Sequence, residues 1–232
     1  YHVTCQLGVI TDSGDSDGTV LEQLTIPTIT EQSLLKIIEK FKGEQQQVPP
    51  MYSALKHKGQ PLYKFARQGI EIERKSRHIK IYDISLISFT SDSFTLDVCC
   101  SKGTYIRTLV EDISHGLETG GHVTMLRRVE SAGYKITDAI SIAELEAIAE
   151  HGLEALDQSL LPSENALPNW PSVVIDPQQV IALRLGQTAQ VADKFKSAQI
   201  RLFDQKKSFL GLGEMTESGI VSPKRVFVVE EA

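Results

Sequence analysis

The sequence predicts an α+β fold that is followed by a small β-rich module. Segments with alternating apolar residues, typical of half-buried strands, are interleaved with segments in which apolar residues recur at helical spacing. Prolines between residues 162 and 177 then mark a linker, after which strand-sized segments alternate with turns. With 232 residues and 41% hydrophobic content, the chain is long enough for one large and one small domain.

The first strand is predicted from four apolar residues that alternate with polar ones: Val3, Cys5, Leu7 and Val9. An acidic, turn-rich loop from Thr11 to Gly18 follows. When Gly18 is aligned with the invariant glycine of a calcium-binding loop, Leu24 stands where a bidentate glutamate is required. The sequence therefore excludes a calcium site of that type.

Thr30 is predicted to cap the first helix, which ends at Gly43. Its apolar face comprises Leu34, Ile37, Ile38 and Phe41. Pro49 and Pro50 can neither continue a helix nor donate to a sheet, so a long connection is predicted to lead into a short helix from Pro61 to Gln68. Long loops inside a compact domain are usually functional.

Two strands are predicted next, over Ile79–Phe89 and Phe94–Cys100. A helix follows whose core-facing stripe is formed by Ile106, Leu109, Val110 and Ile113. Ser141 and Glu144 form a capping box for a further helix. The final module is predicted to contain one short helix near Pro177–Leu185. Three strand-sized segments follow it: QIRLFD, SFLGLGE and RVFVV.

Charge is unevenly distributed along the chain, whose formal net charge is −6. From Lys56 to Lys80 there are eight Lys or Arg and two acids, a charge of +6 that leaves −12 for the rest. Tyr52, Tyr63 and Phe65 are interleaved with these cations. Cations that follow phosphates, beside rings that stack on bases, are suited to gripping RNA loops. The candidate RNA-binding residues are Lys56, Lys58, Lys64, Arg67, Arg74, Lys75 and Arg77. The alternative is a solvated helix face with ordinary core aromatics.

A second concentration of polar chemistry lies at the start of the helix that carries Ile106. Arg107 and Tyr105 fall on opposite flanks of the apolar stripe. An arginine there can hold a carboxylate bidentately and keep it ionised, and a tyrosine can stack on a base. Gly103 is expected to allow a close backbone approach. The alternative is that Arg107 pairs with Glu111 one turn later and that Tyr105 only packs.

Several classes of protein are disfavoured by what the sequence contains. The three cysteines form no CxxC pair, so neither a disulfide framework nor a zinc site is predicted, and we expect a reducing, cytoplasmic compartment. No apolar run approaches the roughly 20 residues that cross a bilayer, and no signal peptide is recognisable. None of the histidines has a nucleophile context, and His122 is expected to be structural.

Three segments identify a family resemblance: PPMYSALKHKGQPLYKFARQG, CSKGTYIRTLVEDI and GGHVTMLRR. In this order and at this spacing they closely resemble the TruB-type pseudouridine synthases, which isomerise uridine 55 in the TΨC loop of transfer RNA. The opening segment YHVTCQLGVITDSGDSDG also matches. The terminal SFLGLGEMTESGIVSPKRVF is similar to the PUA module of these enzymes. The resemblance covers essentially the whole chain.

The resemblance implies a fold and an organisation. A mixed, largely antiparallel sheet with flanking helices is expected as an incomplete catalytic domain over residues 1–165. A small β-barrel PUA-like domain is expected over residues 172–232. Residues 48–80 match a thumb insertion that grips the RNA arm and that guide-dependent relatives lack. The implied enzyme is a monomer with neither metal nor organic cofactor, and its partner is the T arm of tRNA rather than a membrane.

The resemblance also implies roles for individual residues. Tyr1 and Tyr105 match tyrosines that contact the flipped base, and Leu126 matches the pocket wall. Arg107 matches the arginine that pairs with the catalytic aspartate, and Asp15 matches an acidic residue of the loop beside the active site.

One departure from the family pattern concerns the nucleophile. The family's nucleophilic aspartate lies in a G-x-L-D-P-x-A-T-G motif upstream of the tyrosine matched by Tyr1, and the motif does not occur in the 232 residues. We therefore expect the chain to lack the first part of the catalytic domain and to be inactive alone. Two alternatives remain open: a non-catalytic RNA-binding or tRNA-folding protein, and a structural interaction protein without affinity for tRNA.

Overall fold

The computed structural model describes residues 1–192 and 198–227. The chain forms two compact units that divide between Val129 and Glu130. Both units combine helices with largely antiparallel sheets, which confirms the predicted α+β class. The assignment of residues 130–165 to the first domain stays a prediction. Within the described residues, no helix is both long and apolar enough to cross a membrane.

The first unit is built around one sheet. Its elements are, in chain order, β1 His2–Leu7, β2 Val9–Thr11, β3 Val20–Gln23, α1 Glu31–Glu39, β4 Gly43–Gln47, β5 Lys56–His57, β6 Gln60–Pro61, α2 Leu62–Ala66, β7 Arg77–Phe89, β8 Ser93–Cys100, α3 Ile106–Gly116 and β9 Gly121–Arg127. Five of these strands form an antiparallel sheet in the order β4-β7-β8-β1-β9. The core lies between the sheet and the apolar faces of α1 and α3.

The predicted alternation of β1 and the predicted stripe of α3 are both confirmed. Val3, Cys5 and Leu7 are buried, and so are the four stripe residues of α3. Val9 does not continue β1, contrary to the prediction. Gly8 has a φ of +81°, a conformation that favours glycine, and it turns the chain into β2.

The cap of α1 is confirmed, but the predicted end of this helix is wrong. Thr30 Oγ1 accepts a hydrogen bond from Ser33 N at 3.1 Å. The helix ends at Glu39, with Lys40 as its C-cap, and Gly43 instead begins β4. The sequence pattern does not predict β4, because GEQQQ contains no alternating apolar residues. The strand forms because its backbone pairs with β7, with Gly43 opposite Ile81.

The insertion between β4 and β7 stays outside the main sheet. It contains the β5–β6 hairpin and then α2, which spans Leu62–Ala66 and is shorter than the predicted helix from Pro61 to Gln68. Pro61 is the N-cap and Arg67 the C-cap. We call residues 48–76 the thumb. Its two ends, which we call its stems, leave the sheet side by side, because Gln47 at the end of β4 faces Arg77 at the start of β7.

The strand registers bring several chain segments to one end of this sheet. The end of β8 and the start of β1 meet there, because His2 stands opposite Asp97. The end of β9 is also there, with Arg127 opposite His2. Because β7 starts at this end, the two stems of the thumb lie there as well.

The second unit carries the C-terminal sheet. Its elements are β10 Glu130–Ser131, β11 Tyr134–Lys135, a 3-10 turn Ile136–Asp138, α4 Ile142–Ala149, α5 Leu153–Asp157, a 3-10 turn Ser163–Ala166, β12 Ser172–Ile175, α6 Pro177–Arg184, β13 Ala189–Gln190, β14 Ala198–Asp204, β15 Phe209–Met215 and β16 Ile220–Val226. The curled sheet has the order β12-β14-β15-β16-β13, with only β12 and β14 parallel among its described pairs.

Local signals predicted part of this unit. The predicted capping box at Ser141 starts α4, and the predicted short helix near Pro177–Leu185 is α6, which Asp176 caps. The segments QIRLFD and SFLGLGE form most of β14 and β15. The third predicted strand, RVFVV, coincides with the end of β16, and its last two valines lie outside the described residues. The sequence did not predict α5, which has no capping side chain.

Candidate active site

The acidic loop from Thr11 to Gly18 packs against β9 and α3. Val123 N donates to Gly14 O at 3.0 Å, which fixes the loop on the strand. Gly14 has a φ of +75°, and a Cβ at this position would overlap the side chain of Glu111. Glycine is therefore required where the loop approaches α3, and this approach places Asp15 beside the helix.

Arg107 connects this loop to the start of α3. Its Nη1 donates to Ser13 O at 2.7 Å and to Asp15 Oδ2 at 2.8 Å, and its Nη2 donates to Tyr52 O at 2.7 Å. Among the described residues, the ion pair of Arg107 is with Asp15, and none is formed with Glu111. The arginine therefore holds a loop, a helix and the thumb together through charge-assisted hydrogen bonds.

The Asp15 carboxylate accepts hydrogen bonds on both oxygens. Its Oδ1 accepts from Ser13 Oγ at 2.6 Å and from Asp17 N at 3.2 Å. The side chains of Arg107 and Asp15 are 22% and 32% exposed. Because water screens a partly exposed ion pair, this pair contributes about 1 kcal/mol or less to stability.

Tyr52, in the thumb, forms one hydrogen bond with α3 and one with the acidic loop. Its carbonyl accepts from Arg107, and its hydroxyl donates to Asp12 Oδ2 at 2.7 Å. This hydrogen bond raises the pKa of the Tyr52 hydroxyl, because the carboxylate stabilises the protonated form. Asp12 Oδ1 in turn accepts from Thr19 N at 2.8 Å. These contacts connect the first residues of the thumb to the loop that carries Asp15.

Tyr105 is the N-cap residue of α3, and a buried glutamine holds its backbone. Gln47 Oε1 accepts from Tyr105 N at 2.8 Å, and Gln47 Nε2 donates to Tyr105 O at 3.1 Å. A Cβ at Gly103 would meet no other part of this chain within 4 Å, so the predicted close backbone approach at Gly103 stays a prediction that concerns a bound partner. The φ of +86° is what favours glycine in this turn.

Tyr1 and Leu126 lie at the sheet end that also holds the turn to Tyr105. Tyr1 is half-buried against the core, and its carbonyl accepts from Val98 N at 2.8 Å. Leu126 stands opposite Val3 in the β1–β9 pairing and is 44% exposed. Their contacts with a base stay predictions.

Most of the thumb cations are exposed. Arg67 lies over the Tyr63 ring, with its guanidinium carbon 5.4 Å from the ring centroid. Arg74 differs from the other cations, because it is partly buried and pairs with Glu71 at 3.1 Å. Within the described residues, the remaining predicted RNA-binding cations form no ion pair: Lys56, Lys58, Lys64, Arg67, Lys75 and Arg77.

Glu111 is a titratable group beside the Arg107–Asp15 pair. Burial, with a further contribution from the charge of Asp112, raises the pKa of Glu111 to about 7. Arg107 opposes this rise and Asp15 adds to it. The charge beside the ion pair is therefore expected to change near neutral pH.

We expect Glu111→Gln to remove a pH dependence of stability. The pKa of Glu111 is raised from 4.5 to about 7 on folding, so the stabilisation is fully present below pH 4.5 and is lost as pH rises through 7. Between these values, wild-type stability should fall by about 1–2 kcal/mol relative to the variant, given that water still reaches part of the side chain. Urea unfolding at pH 4.5, 6 and 7.5 measures this difference. Glu39→Gln, on an exposed turn of α1, is the control. If the difference in stability between wild type and Glu111→Gln does not change with pH, Glu111 is not the group that titrates.

Sequence reasoning missed several partners in this site. Gln47, Ser13 and Asp12 were not singled out, and Tyr52 was considered only as an aromatic side chain. The only local signal for Gln47 is its place before the prolines that begin the thumb. Ser13 and Tyr52 bind Arg107 through backbone carbonyls, which every residue has.

Among the described residues, no cluster of three or more His, Cys, Asp or Glu side chains is arranged to hold a metal ion. Burial raises the pKa of the Cys5 thiol to about 12, so this thiol stays protonated. His122 is buried, with Nδ1 3.1 Å from Val9 O, in a contact that joins β9 to β2.

Three family models match consecutive parts of the chain. Residues 1–106 match the TruB family pseudouridylate synthase N-terminal domain. Residues 107–168 match the tRNA pseudouridylate synthase B C-terminal domain, and residues 171–227 match the C-terminal model of pseudouridine synthase II TruB.

Similar proteins are known by sequence and by structure. A tRNA pseudouridine synthase B of Nitrosococcus oceani is 45% identical over 97% of this chain and 73% of its own length. A protein of the same name from a Marinomonas species is 42% identical, over 99% and 75% respectively. The chain thus spans about three quarters of these relatives.

Solved structures show the same fold. A chain of a Cbf5-Nop10-Gar1 complex matches with a TM-score of 0.68 and 21% identity, over 98% of this chain and 66% of that chain. A chain of an H/ACA RNP bound to a substrate RNA containing 2'-deoxyuridine matches with a TM-score of 0.67 and 18% identity, over 98% and 65%. The family models and the curated relatives show that the chain belongs to the TruB family of pseudouridylate synthases.

Proposed function

We propose that this protein is a tRNA pseudouridine synthase that isomerises uridine 55 in the TΨC loop. The observation that carries the proposal is the Arg107 cluster, in which an arginine at a helix start joins the acidic loop, the thumb base and the turn to Tyr105. The relatives named tRNA pseudouridine synthase B support tRNA as the substrate.

The proposed reaction is an isomerisation. The uridine flips out of the RNA, the bond between C1′ and N1 of the base breaks, and a bond between C1′ and C5 forms after the base has turned. N1 gains a proton and C5 loses one, so no oxidant or reductant is consumed. Neither a metal nor an organic cofactor is required by this balance.

We assign roles only to residues that this chain contains. Arg107 uses three of its five N–H groups on Ser13, Asp15 and Tyr52. The Nε group and one Nη2 hydrogen have no hydrogen-bond partner among the described residues, so they are available to a second carboxylate, the nucleophile of the family pattern. Arg107 then keeps that carboxylate ionised, while Asp15 holds the guanidinium in place.

We assign the base pocket to the end of the sheet that holds the turn before Tyr105. We propose that Tyr1 and Tyr105 contact the flipped base and that Leu126 forms a wall. Support comes from the strand registers, which bring the start of β1, the end of β9 and the chain leading to Tyr105 to this end. Partly exposed rings there can stack on a base without a large burial cost.

The thumb is proposed to grip the T arm. Its exposed cations are free to meet phosphates, and Arg67 and Tyr63 form a stacked cation and ring of the kind that binds unpaired nucleotides. We further propose that the enzyme acts in the cytoplasm as a monomer.

The proposal is tested with the protein expressed from its complete gene and an unmodified tRNA transcript. Pseudouridine is mapped by carbodiimide modification and primer extension. We expect conversion at position 55 and none in a transcript with cytidine 55. Tight tRNA binding without conversion would favour the non-catalytic RNA-binding alternative, and absence of binding would favour the structural one.

A further inference from the structure

We propose that Gln47 is a positioning residue that couples the thumb to Tyr105. Gln47 is the last residue of β4 and the residue immediately before the thumb. It is only 5% exposed, in a strand whose other residues are partly or fully exposed. A buried glutamine must satisfy both polar atoms of its amide, and here both are satisfied by one residue.

The two hydrogen bonds form a closed pair. Gln47 Oε1 accepts from the N–H of Tyr105 at 2.8 Å, and Gln47 Nε2 donates to its carbonyl at 3.1 Å. The side-chain amide therefore pairs with the backbone of Tyr105 as a neighbouring strand would. Because both atoms of the amide are used, its orientation is determined, and so is the backbone of Tyr105.

This backbone position sets the start of α3. The carbonyl of Tyr105 also accepts from Leu109 N at 3.1 Å, so it is shared between the first turn of the helix and Gln47. Tyr105 makes no side-chain capping bond of its own. Among the described residues, Gln47 is the only side chain that bonds to the Tyr105 backbone. Gln47 therefore fixes the backbone from which the Tyr105 side chain projects and, two residues later, the backbone from which the Arg107 side chain projects.

Gln47 also stands at the root of the thumb. It faces Arg77 across the β4–β7 pair, and both stems of the thumb leave the sheet at this point. If RNA bound to the thumb displaces residues on either side of Gln47 and Arg77, the amide pair transmits that displacement to Tyr105. The inference rests on the proposed function, since it requires that the thumb grips RNA and that Tyr105 contacts the base.

Two variants of Gln47 test the coupling. Gln47→Met keeps the length and removes both hydrogen bonds. Gln47→Glu keeps an acceptor for Tyr105 N, but it donates to Tyr105 O only when protonated.

We expect kcat of the methionine variant to fall roughly 10- to 10²-fold, with tRNA affinity changed less than about threefold, because misplacement of a contacting group affects turnover more than binding. The kcat of the glutamate variant, relative to wild type, should rise as pH is lowered from 8 to 6.

The control is Gln46→Met, at the exposed neighbouring position of the same strand. Steady-state kinetics with saturating tRNA measure kcat separately from binding, and amide hydrogen exchange reports on residues 104–106 without requiring activity. Gln47→Met is expected to speed exchange there, and tRNA is expected to slow it in wild type only. A purely structural role predicts a lower Tm with unchanged kcat for the folded fraction and no pH-dependent recovery.

The outcomes separate the two proposals. If wild type expressed from its complete gene fails to modify tRNA, the proposed function is wrong, and the exchange data alone decide whether Gln47 holds Tyr105. If wild type is active and Gln47→Met matches it in kcat and in exchange, the coupling is overturned. Equal losses of kcat and tRNA affinity would also overturn it.

Discussion

Replacing Arg107 with alanine is expected to lower kcat for pseudouridine formation by roughly 10²–10³-fold, while the Kd for tRNA changes less than about threefold. The physical reason is that, in the proposed function, the guanidinium binds carboxylates beside the reacting base and does not bind the RNA backbone. It bonds to Asp15, Ser13 and Tyr52 within the protein. Stability should fall by only about 1 kcal/mol, because the ion pair is partly exposed.

The measurement combines steady-state kinetics at saturating tRNA with filter binding and thermal unfolding. Lys102→Ala removes an exposed cation from the same turn and should leave kcat unchanged. Arg107→Lys keeps the positive charge but lacks the planar guanidinium. A single ammonium group cannot reproduce the contacts to both Asp15 and Tyr52, so most of the loss of kcat should remain. Equal losses in kcat and affinity would show that Arg107 binds RNA instead.

Reversing two thumb charges, Lys56→Glu with Lys64→Glu, is expected to weaken tRNA binding about 10- to 10²-fold at low salt. Both lysines are exposed and form no ion pair among the described residues. Each phosphate contact contributes about 0.7–0.9 to the slope of log K against log salt, so the slope should fall by at least about 1.5. With saturating tRNA, kcat should stay close to wild type.

A matched control exists on α1, where Lys36→Glu with Lys40→Glu makes the same change of charge at two exposed positions. Filter binding over a range of salt concentrations compares the two double variants. If the α1 variant loses as much affinity and slope as the thumb variant, only the overall charge matters, and the thumb is not the RNA-binding surface.

The elements with strong local signals could be predicted from the sequence. Apolar alternation located β1 and β8, helical spacing located the stripe of α3, and capping residues located the starts of α1 and α4. These signals work because side-chain periodicity and capping hydrogen bonds depend only on residues a few positions apart. β4 was missed because its polar residues form a strand only through pairing with β7.

The candidate site was predictable as a set of residues, but not as a network. The position of Arg107 on the flank of an apolar stripe followed from helical geometry. The sequence offered Glu111, one turn later, or the nucleophile of the family pattern as the carboxylate partner of Arg107. The packing of the acidic loop on β9 selects Asp15, which lies 92 residues away along the chain.

The sequence determined the fold class, the family, the concentration of cations in the thumb and the pairing of a cation with a ring at the start of α3. Only the tertiary structure decided which groups meet. Gln47 reaches Tyr105 across 58 residues, and Arg74 pairs with Glu71 three residues before it. The physical reason is that local propensities act over one or two turns of chain, whereas hydrogen-bond partners, burial and pKa values depend on how distant segments pack.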